Sequence, residues 1–359
     1  MGAALWFILA SFLNVHGYGE ISYLLSVGFF FVPIALLGMV STMLTYLPKG
    51  EIDIVPQAKL VVLIASLFIA IGLSTFNILL SALLASNVFF QLTITELLAK
   101  RNYRKYMYVM ISSSFIRVCL SILFYYIIGI NGIILGYAIQ CFIFSYSYFF
   151  SLRNITFQIN FIRSHIRFII RNCFASLAQN TSLYLDKIIV GQLFGFIVLA
   201  NYQFGYQIYL ALTLIPLSIY QYLLPQEARG VNKRNIKIVG ISTSAIAAII
   251  AYLLSPWIVT NMFPQFKDSI EFTRIIVISI IPLTLNQIFI AMLLGKADNA
   301  PVLTGSIIYV GSLIVFLIAF GQLFGLVGFA MAVLLSNSIQ AFFLLANLRT
   351  FKIWSNKNV

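Results

Sequence analysis

The residues most able to do chemistry in this 359-residue chain are the few ionisable groups that interrupt its apolar segments. Arg117 stands inside ISSSFIRVCLSILF (111–124), and Asp186 with Lys187 inside LYLDKIIVGQLFG (183–195). Placing a charge at the centre of a bilayer costs about 2.5–3.5 kcal/mol on insertion scales, so such groups face a water-filled cavity, a partner or both. Gln179, Asn180 and Asp186 recur within about one face of their segment, a polar stripe suited to lining a cavity. Adjacent helical residues point about 100° apart, which predicts Asp186 turned toward the cavity and Lys187 snorkelling outward. Counted from their cytoplasmic ends at about 1.5 Å per residue, Arg117 and Asp186 lie roughly 15 and 21 Å deep. An ion pair that only ties helices together is the competing reading of these charges. Glu96, four residues before Lys100, reads as a surface helix pair with no functional role.

Other chemistries lack their residues. The sequence has no GxxxxGK[ST] loop to cradle a nucleotide and no HExxH or Cys/His cluster to hold a metal. Its three cysteines, Cys119, Cys141 and Cys173, form no CxxC pair and read as inert packing residues. The first outward loop offers only His16 and Glu20, too little for a general acid and base working on a lipid-linked sugar. These absences argue against an enzyme.

The elements that must position the charges follow from composition. Hydrophobic residues make up 61% of the chain and charged ones 9%, against about 25% charged in soluble globular domains. Apolar runs of about 20 residues, the length that crosses a hydrocarbon core of about 30 Å, recur from end to end. Charge clusters and Gly, Pro and Asn breaks place twelve spans near 1–15, 20–46, 57–76, 78–98, 107–129, 131–151, 172–195, 197–223, 237–259, 273–294, 301–320 and 325–347. Eighteen of the 22 basic residues fall in loops after even-numbered spans or in the tail, Lys59 among them. Because short cytoplasmic loops collect Lys and Arg, both termini are expected in the cytoplasm. The net charge of +13 is thus a topology signal and not a nucleic-acid signal. Only about 14 apolar residues precede the polar turn NVHGYGE (14–20), so the first span is short and the chain is expected to start inside it. A cleaved signal peptide is disfavoured by the missing basic n-region and cleavage site.

A repeat organises the spans. GINGIILGYAIQ from Gly129 matches GLVGFAMAVLLS from Gly325, each with Gly-x-x-Gly in a helical hairpin, one span, and an Arg at the same distance, Arg153 and Arg349. A weaker match sets GEISYLLSV (19–27) against VLANYQFGY (198–206) through Tyr23 and Tyr202. Gly-x-x-Gly also serves close helix packing by itself, but its recurrence at matching places supports duplication. Two six-helix halves entering from the same side give a parallel repeat: an N-terminal bundle over 1–152, a cytoplasmic amphipathic linker over 153–171 and a C-terminal bundle over 172–359. In the linker, Arg163, Arg167 and Arg171 form one stripe beside Ile162, Ile166 and Ile170, an interfacial helix suited to anionic headgroups; gripping a substrate phosphate is the rival role.

The segment DKIIVGQLFGFIVLANYQFGYQI (186–208), running to LLPQ (223–226), sets out Asp186, Gly191, Gly195, Tyr202 and Pro225 as an acid, an apolar helix, a glycine turn, a Tyr opening the next helix and a Pro at its end. With the two glycine hairpins, it makes the chain resemble, over nearly its whole length, the polysaccharide (O-antigen type) flippases of the multidrug/oligosaccharidyl-lipid/polysaccharide exporter superfamily. It departs from that pattern in its short first helix and in NCFAS (172–176), where a Pro often stands. The resemblance implies an all-α polytopic membrane protein of the MATE-like exporter fold, with about 12 transmembrane helices in two pseudo-symmetric six-helix bundles. It also implies a non-enzymatic flippase of the cytoplasmic membrane, moving polyprenyl-diphosphate-linked oligosaccharide from inner to outer leaflet by alternating access for cell-surface polysaccharide synthesis. An oligosaccharide cannot cross hydrocarbon unaided, because its hydroxyls would lose their hydrogen bonds.

The site then comprises Arg117, Asp186, Lys187, Gln179, Asn180 and Tyr202. Arg117 or Lys187 would meet the diphosphate, and Asp186 would serve gating or proton coupling. No cofactor is implied, with H+ or Na+ coupling left open. The implied partners are the lipid-linked oligosaccharide, membrane lipids and other polysaccharide-assembly proteins, with no nucleic acid and a monomeric state. Three rivals stand beside this reading. A cation-coupled multidrug exporter would want more membrane acids. A lipid II flippase would want more cavity cations and extra C-terminal helices. A membrane-embedded polysaccharide polymerase would want longer outward loops.

Overall fold

A computed structural model describes residues 2–151, 160–231, 233–295 and 298–355. Arg153, Lys296 and Lys357 lie outside the described residues. The elements run α1 (Gly2–Phe12), α2 (Val15–Phe30), α3 (Val32–Leu36), α4 (Met39–Tyr46), α5 (Ile54–Ser74), α6 (Ile78–Ala99), α7 (Tyr103–Ile128), α8 (Ile130–Phe144), α9 (Tyr146–Ser151) and α10 (Asn160–Phe194). They continue as α11 (Phe196–Leu212), α12 (Leu214–Ala228), α13 (Arg234–Met262), α14 (Ser269–Ile278), α15 (Ile280–Gly295) and α16 (Ala300–Ser355). The described residues contain no strand. Several labels are pieces of one kinked span: α2 to α4 are interrupted near Pro33 and at Leu37 and Gly38, both with positive φ, and α16 breaks at Gly325. Among the described residues, eight stretches are long and apolar enough to cross a membrane, and α16 is long enough for two such crossings. Joined this way, with α1 and α8 to α9 short, the helices follow the expected order of about twelve spans. Large apolar side chains such as Phe68, Ile78, Phe115, Tyr126 and Phe342 are exposed, as a lipid-facing surface requires. The protein is an all-α, multi-pass membrane protein.

The expected hairpin repeat is visible in backbone detail. Gly129 (φ 70°, ψ −144°) and Gly325 (φ 58°, ψ −133°) turn the two hairpins with nearly the same geometry, one that only glycine adopts readily. Three residues on, a Cβ on Gly132 would lie 2.0 Å from the Phe124 carbonyl oxygen, and one on Gly328 would lie 2.0 Å from that of Phe320. Both hairpins therefore close backbone to backbone.

The chain divides into two compact units, one of residues 1–2 and 21–188, the other of residues 3–20 and 189–359. The division runs inside α10, and α1 with the start of α2 falls in the second unit. In unit 1, α8 packs on α6 and α7, and α5 on α6. Its core joins Met39, Met43, Ile54, Ala58, Val62, Leu84, Val88, Leu92 and Tyr148 to Phe161 and Ile169 of α10. In unit 2, α15 packs on α12, α13 and α16, and α14 on α11, α13 and α16. Phe7 of α1 meets Phe204 and Phe263, Tyr18 meets Phe266, and the Gln265 side-chain amide donates to the backbone carbonyls of Ala10 and Leu13 at the end of α1.

The described part of the basic linker, 160–171, continues into span seven as α10, which kinks at His165, where the backbone leaves the helical conformation. Arg163, Arg167 and Arg171 are exposed, as are Ile166 and Ile170, while Phe161 and Ile169 are buried in unit 1. Cys141 is buried, Cys173 half-buried and Cys119 exposed, so the last departs from the packing role expected of it.

Candidate functional site

Arg117 sits in the fifteenth position of the 26-residue α7, near its middle as the span reading requires. Its Nε donates to Gln140 Oε1 (3.1 Å) and its Nη1 to the Tyr137 hydroxyl (3.3 Å), with the guanidinium 4.6 Å from the Tyr137 ring centre. Both partners project from α8, which the glycines Gly132 and Gly136 bring against α7. Among the described residues no carboxylate pairs with Arg117. The guanidinium is thus oriented by neutral groups.

Gln140 is fully buried. Its Oε1 is taken by Arg117, which fixes the amide orientation, and its Nε2 has no partner. Asn87 of α6 donates to Cys141 Sγ (3.9 Å), beside Gln140. Phe29 bridges onward, its ring meeting Tyr137 at 5.7 Å and Tyr184 of α10 at 5.8 Å. The site in unit 1 is thus a polar and aromatic set drawn from α2, α6, α7, α8 and α10, around a cation, Arg117, that no carboxylate pairs among the described residues.

Asp186 and Lys187 are arranged differently from the expectation. Lys187 does not snorkel outward: both residues are buried, at 3% and 6% exposure. The Lys187 ammonium lies 3.2 Å from each Asp186 carboxylate oxygen and donates to the Leu183 carbonyl at 2.7 Å. The four-carbon stem is long enough to wrap the 100° step between neighbouring positions, so adjacency on the helix does not keep the two heads apart. A paired and hydrogen-bonded charge avoids most of the penalty of burial. Arg117 and Asp186 belong to separate pairings, and the aromatic contacts lead from Tyr137 through Phe29 to Tyr184 on the helix that carries Asp186. Gln179 and Asn180 fall on α10, but their side chains lie outside the described residues. Tyr202 is in unit 2, fully buried, stacked on Tyr206 (5.6 Å) and against Phe272 (5.0 Å) and Phe329 (5.9 Å). The structure therefore groups Arg117 with the helix carrying Asp186 and Lys187, and sets Tyr202 in a different unit.

Two further clusters escaped the sequence reading. Lys59, expected in a loop, lies in α5 and is 1% exposed, its ammonium 2.6 Å from Glu96, whose other oxygen takes Lys100 at 2.5 Å. Glu96 is thus no simple surface pair but a bridge between two lysines on different helices. Tyr148 closes the cluster by donating its hydroxyl to the Lys59 carbonyl (2.7 Å). In unit 2, Asn286 of α15 donates through Nδ2 to the backbone carbonyl of Asn337 (3.0 Å) and to Gln340 Oε1 (3.1 Å) on α16, and Tyr209 lies beside the Asn337 side chain. Only the recurrence of amides in the last span, at 337 and 340, signalled this cluster. Among the described residues, no group of three or more His, Cys, Asp or Glu could hold a metal.

No protein-family model matches the chain, and no curated protein resembles it in sequence. Solved structures do. It is similar to an inward-facing multidrug resistance MATE family transporter of the MOP superfamily, with a TM-score of 0.76 and 14% identity over 99% of this chain and 94% of that one. It is similar to the lipid II flippase MurJ in an inward closed conformation, with a TM-score of 0.78 and 14% identity over 97% of this chain and 85% of that one. A MATE transporter in its straight conformation aligns at a TM-score of 0.61 and 14% identity, over 98% of this chain and 92% of that one. At such identities it is the fold that is shared, and this chain carries the one common to MATE transporters of the MOP superfamily and the lipid II flippase MurJ.

Proposed function

We propose that the protein is a flippase that moves a polyprenyl-diphosphate-linked oligosaccharide from the inner to the outer leaflet of the cytoplasmic membrane by alternating access. The observation that carries this reading is the charge state of unit 1. Asp186 is neutralised by Lys187, whereas Arg117 is held by Gln140 and Tyr137 alone among the described residues. One uncompensated cation at mid-span suits an anionic headgroup. Guanidinium binds phosphate oxygens through two parallel hydrogen bonds, which are stronger than those between neutral groups. The aromatic faces of Phe29, Tyr137 and Tyr184 suit the apolar and ring surfaces of such a lipid. Asp186 would contribute to gating or to coupling with H+ or Na+.

The similarity to a lipid II flippase supports this class of cargo, and the similarity to multidrug transporters favours a second reading, export of organic cations. Cation export would need an acid free to meet the cargo, and Asp186, the carboxylate found in the site among the described residues, is paired with Lys187. The test is headgroup protection of a labelled polyprenyl-diphospho-oligosaccharide in proteoliposomes, with ethidium transport measured in parallel. Headgroup movement without ethidium movement is expected; ethidium movement alone would replace this reading with the second.

A further inference from the structure

The two units carry polar side chains at equivalent helix crossings, and the two crossings differ in kind. Cys141 and Asn337 each stand twelve residues after a hairpin glycine, Gly129 and Gly325. Each is met by an asparagine from the neighbouring helix, Asn87 from α6 and Asn286 from α15. In unit 1 the crossing lies beside Arg117, and the buried atom left without a partner is a donor, Gln140 Nε2. In unit 2, among the described residues, no ionised group takes part, and Asn286 Oδ1, a buried acceptor, has no partner. The amide orientation there is fixed, because Asn286 Nδ2 is committed to Asn337 and Gln340.

Leaving a buried polar atom unpaired costs about 1–3 kcal/mol, which a cluster serving only to tie α15 to α16 would avoid. The unpaired atom also names the chemistry it fits. A donor beside an arginine calls for anionic oxygen. An acceptor among Asn337, Gln340 and the phenol of Tyr209 calls for a group that donates without charge, and a hydroxyl both donates to Asn286 and accepts from its neighbours.

We propose that the Asn286, Asn337, Gln340 and Tyr209 cluster of unit 2 is a subsite for the hydroxyl groups of uncharged sugar residues, separate from the diphosphate-binding arginine of unit 1. The inference rests on the flippase reading. A monovalent cation is the other occupant an unpaired carbonyl oxygen accepts, and the test separates the two.

The experiment compares two lipids in the same proteoliposomes, a polyprenyl-diphospho-oligosaccharide and the bare polyprenyl diphosphate, for the unaltered protein, Asn286→Leu, Gln340→Leu and Arg117→Ala. Gln340, the most exposed of the three amides, guards against a folding defect in Asn286→Leu, and thermal unfolding of each purified variant checks integrity. Asn286→Leu and Gln340→Leu are expected to slow the oligosaccharide lipid about tenfold, the scale of one lost hydrogen bond, and to leave the bare diphosphate within about twofold. Arg117→Ala is expected to slow both. Equal loss on both lipids in the unit 2 variants, or loss on neither, overturns the proposal while leaving the flippase reading in place. Loss that tracks removal of Na+ in the unaltered protein overturns it in favour of a coupling cation. An unaltered protein that moves neither lipid sinks the flippase reading and this inference with it.

Discussion

Replacing Glu96 by Gln should destabilise unit 1 more than replacing the lysine it buries, and the size of the difference follows from geometry. Lys59 is 1% exposed and its ammonium lies 2.6 Å from Glu96. Glu96→Gln leaves a buried ammonium facing a neutral amide, and removing one partner of a buried pair costs about 3–5 kcal/mol. Glu96 retains some solvent contact, at 17% side-chain exposure, so the low end, about 3 kcal/mol, is expected. By the scaling for domains of this size, that lowers Tm by about 6–12 °C. Lys59→Met removes the buried charge itself and leaves Glu96 paired with Lys100 at 2.5 Å, so its cost should stay near 1 kcal/mol or less. The double variant should resemble Lys59→Met, giving a coupling energy of about 3 kcal/mol across the cycle. Thermal unfolding of the four purified proteins in one detergent measures all of this. Equal losses for the two single variants, or simple additivity, would refute the claim that Lys59 depends on Glu96 while Glu96 has a second partner.

Three other outcomes are expected. Gln140→Glu sets a carboxylate against the guanidinium now 3.1 Å from the amide oxygen; cancelling the free charge should slow flipping of the diphosphate lipid roughly tenfold or more with Tm little changed, as read by parallel flipping and unfolding assays. Gly132→Ala and Gly328→Ala should each disrupt a hairpin, since the new methyl would lie 2.0 Å from a carbonyl oxygen. Gly72→Ala, with nothing within 4 Å of its Cβ, should raise stability by up to about 1 kcal/mol through helix propensity; thermal unfolding distinguishes the two classes. Asp186→Asn should lower stability by about 3 kcal/mol because Lys187 stays buried without its counter-charge, and Asp186→Asn combined with Lys187→Met should recover part of that loss, checked by the same unfolding series.

The order of spans was legible in the sequence because apolar length and turn residues are local properties. The hairpins at Gly129 and Gly325 were legible because an unusual backbone conformation and a close approach each demand glycine, and the demand recurs at one offset. Arg117 stood out for the same reason that makes it costly: charge in an apolar run is rare. The errors have a common origin in reach. Lys59 reads as a loop residue by hydropathy, since it sits in the second turn of α5 and its partner is 37 positions away. Lys187 was assigned an outward direction from its Cα alone, whereas its long stem carries the ammonium back over Asp186. Asn286, Asn337 and Gln340 carry no charge, and nothing local announces that they meet.

The membership of α1 bears on how the chain is made. Phe7 finds its aromatic partners at Phe204 and Phe263, and the carbonyls ending α1 are capped by Gln265, so the full set of contacts waits until some 250 further residues have left the ribosome. At about 5–20 residues per second that interval is roughly 10–50 s. Unit 1, in turn, is complete only when residue 188 has been inserted. Unit 2 therefore cannot finish folding without the N-terminal residues it takes from the start of the chain, and during insertion the first helix stands among lipids as a guest whose hosts have yet to be synthesised.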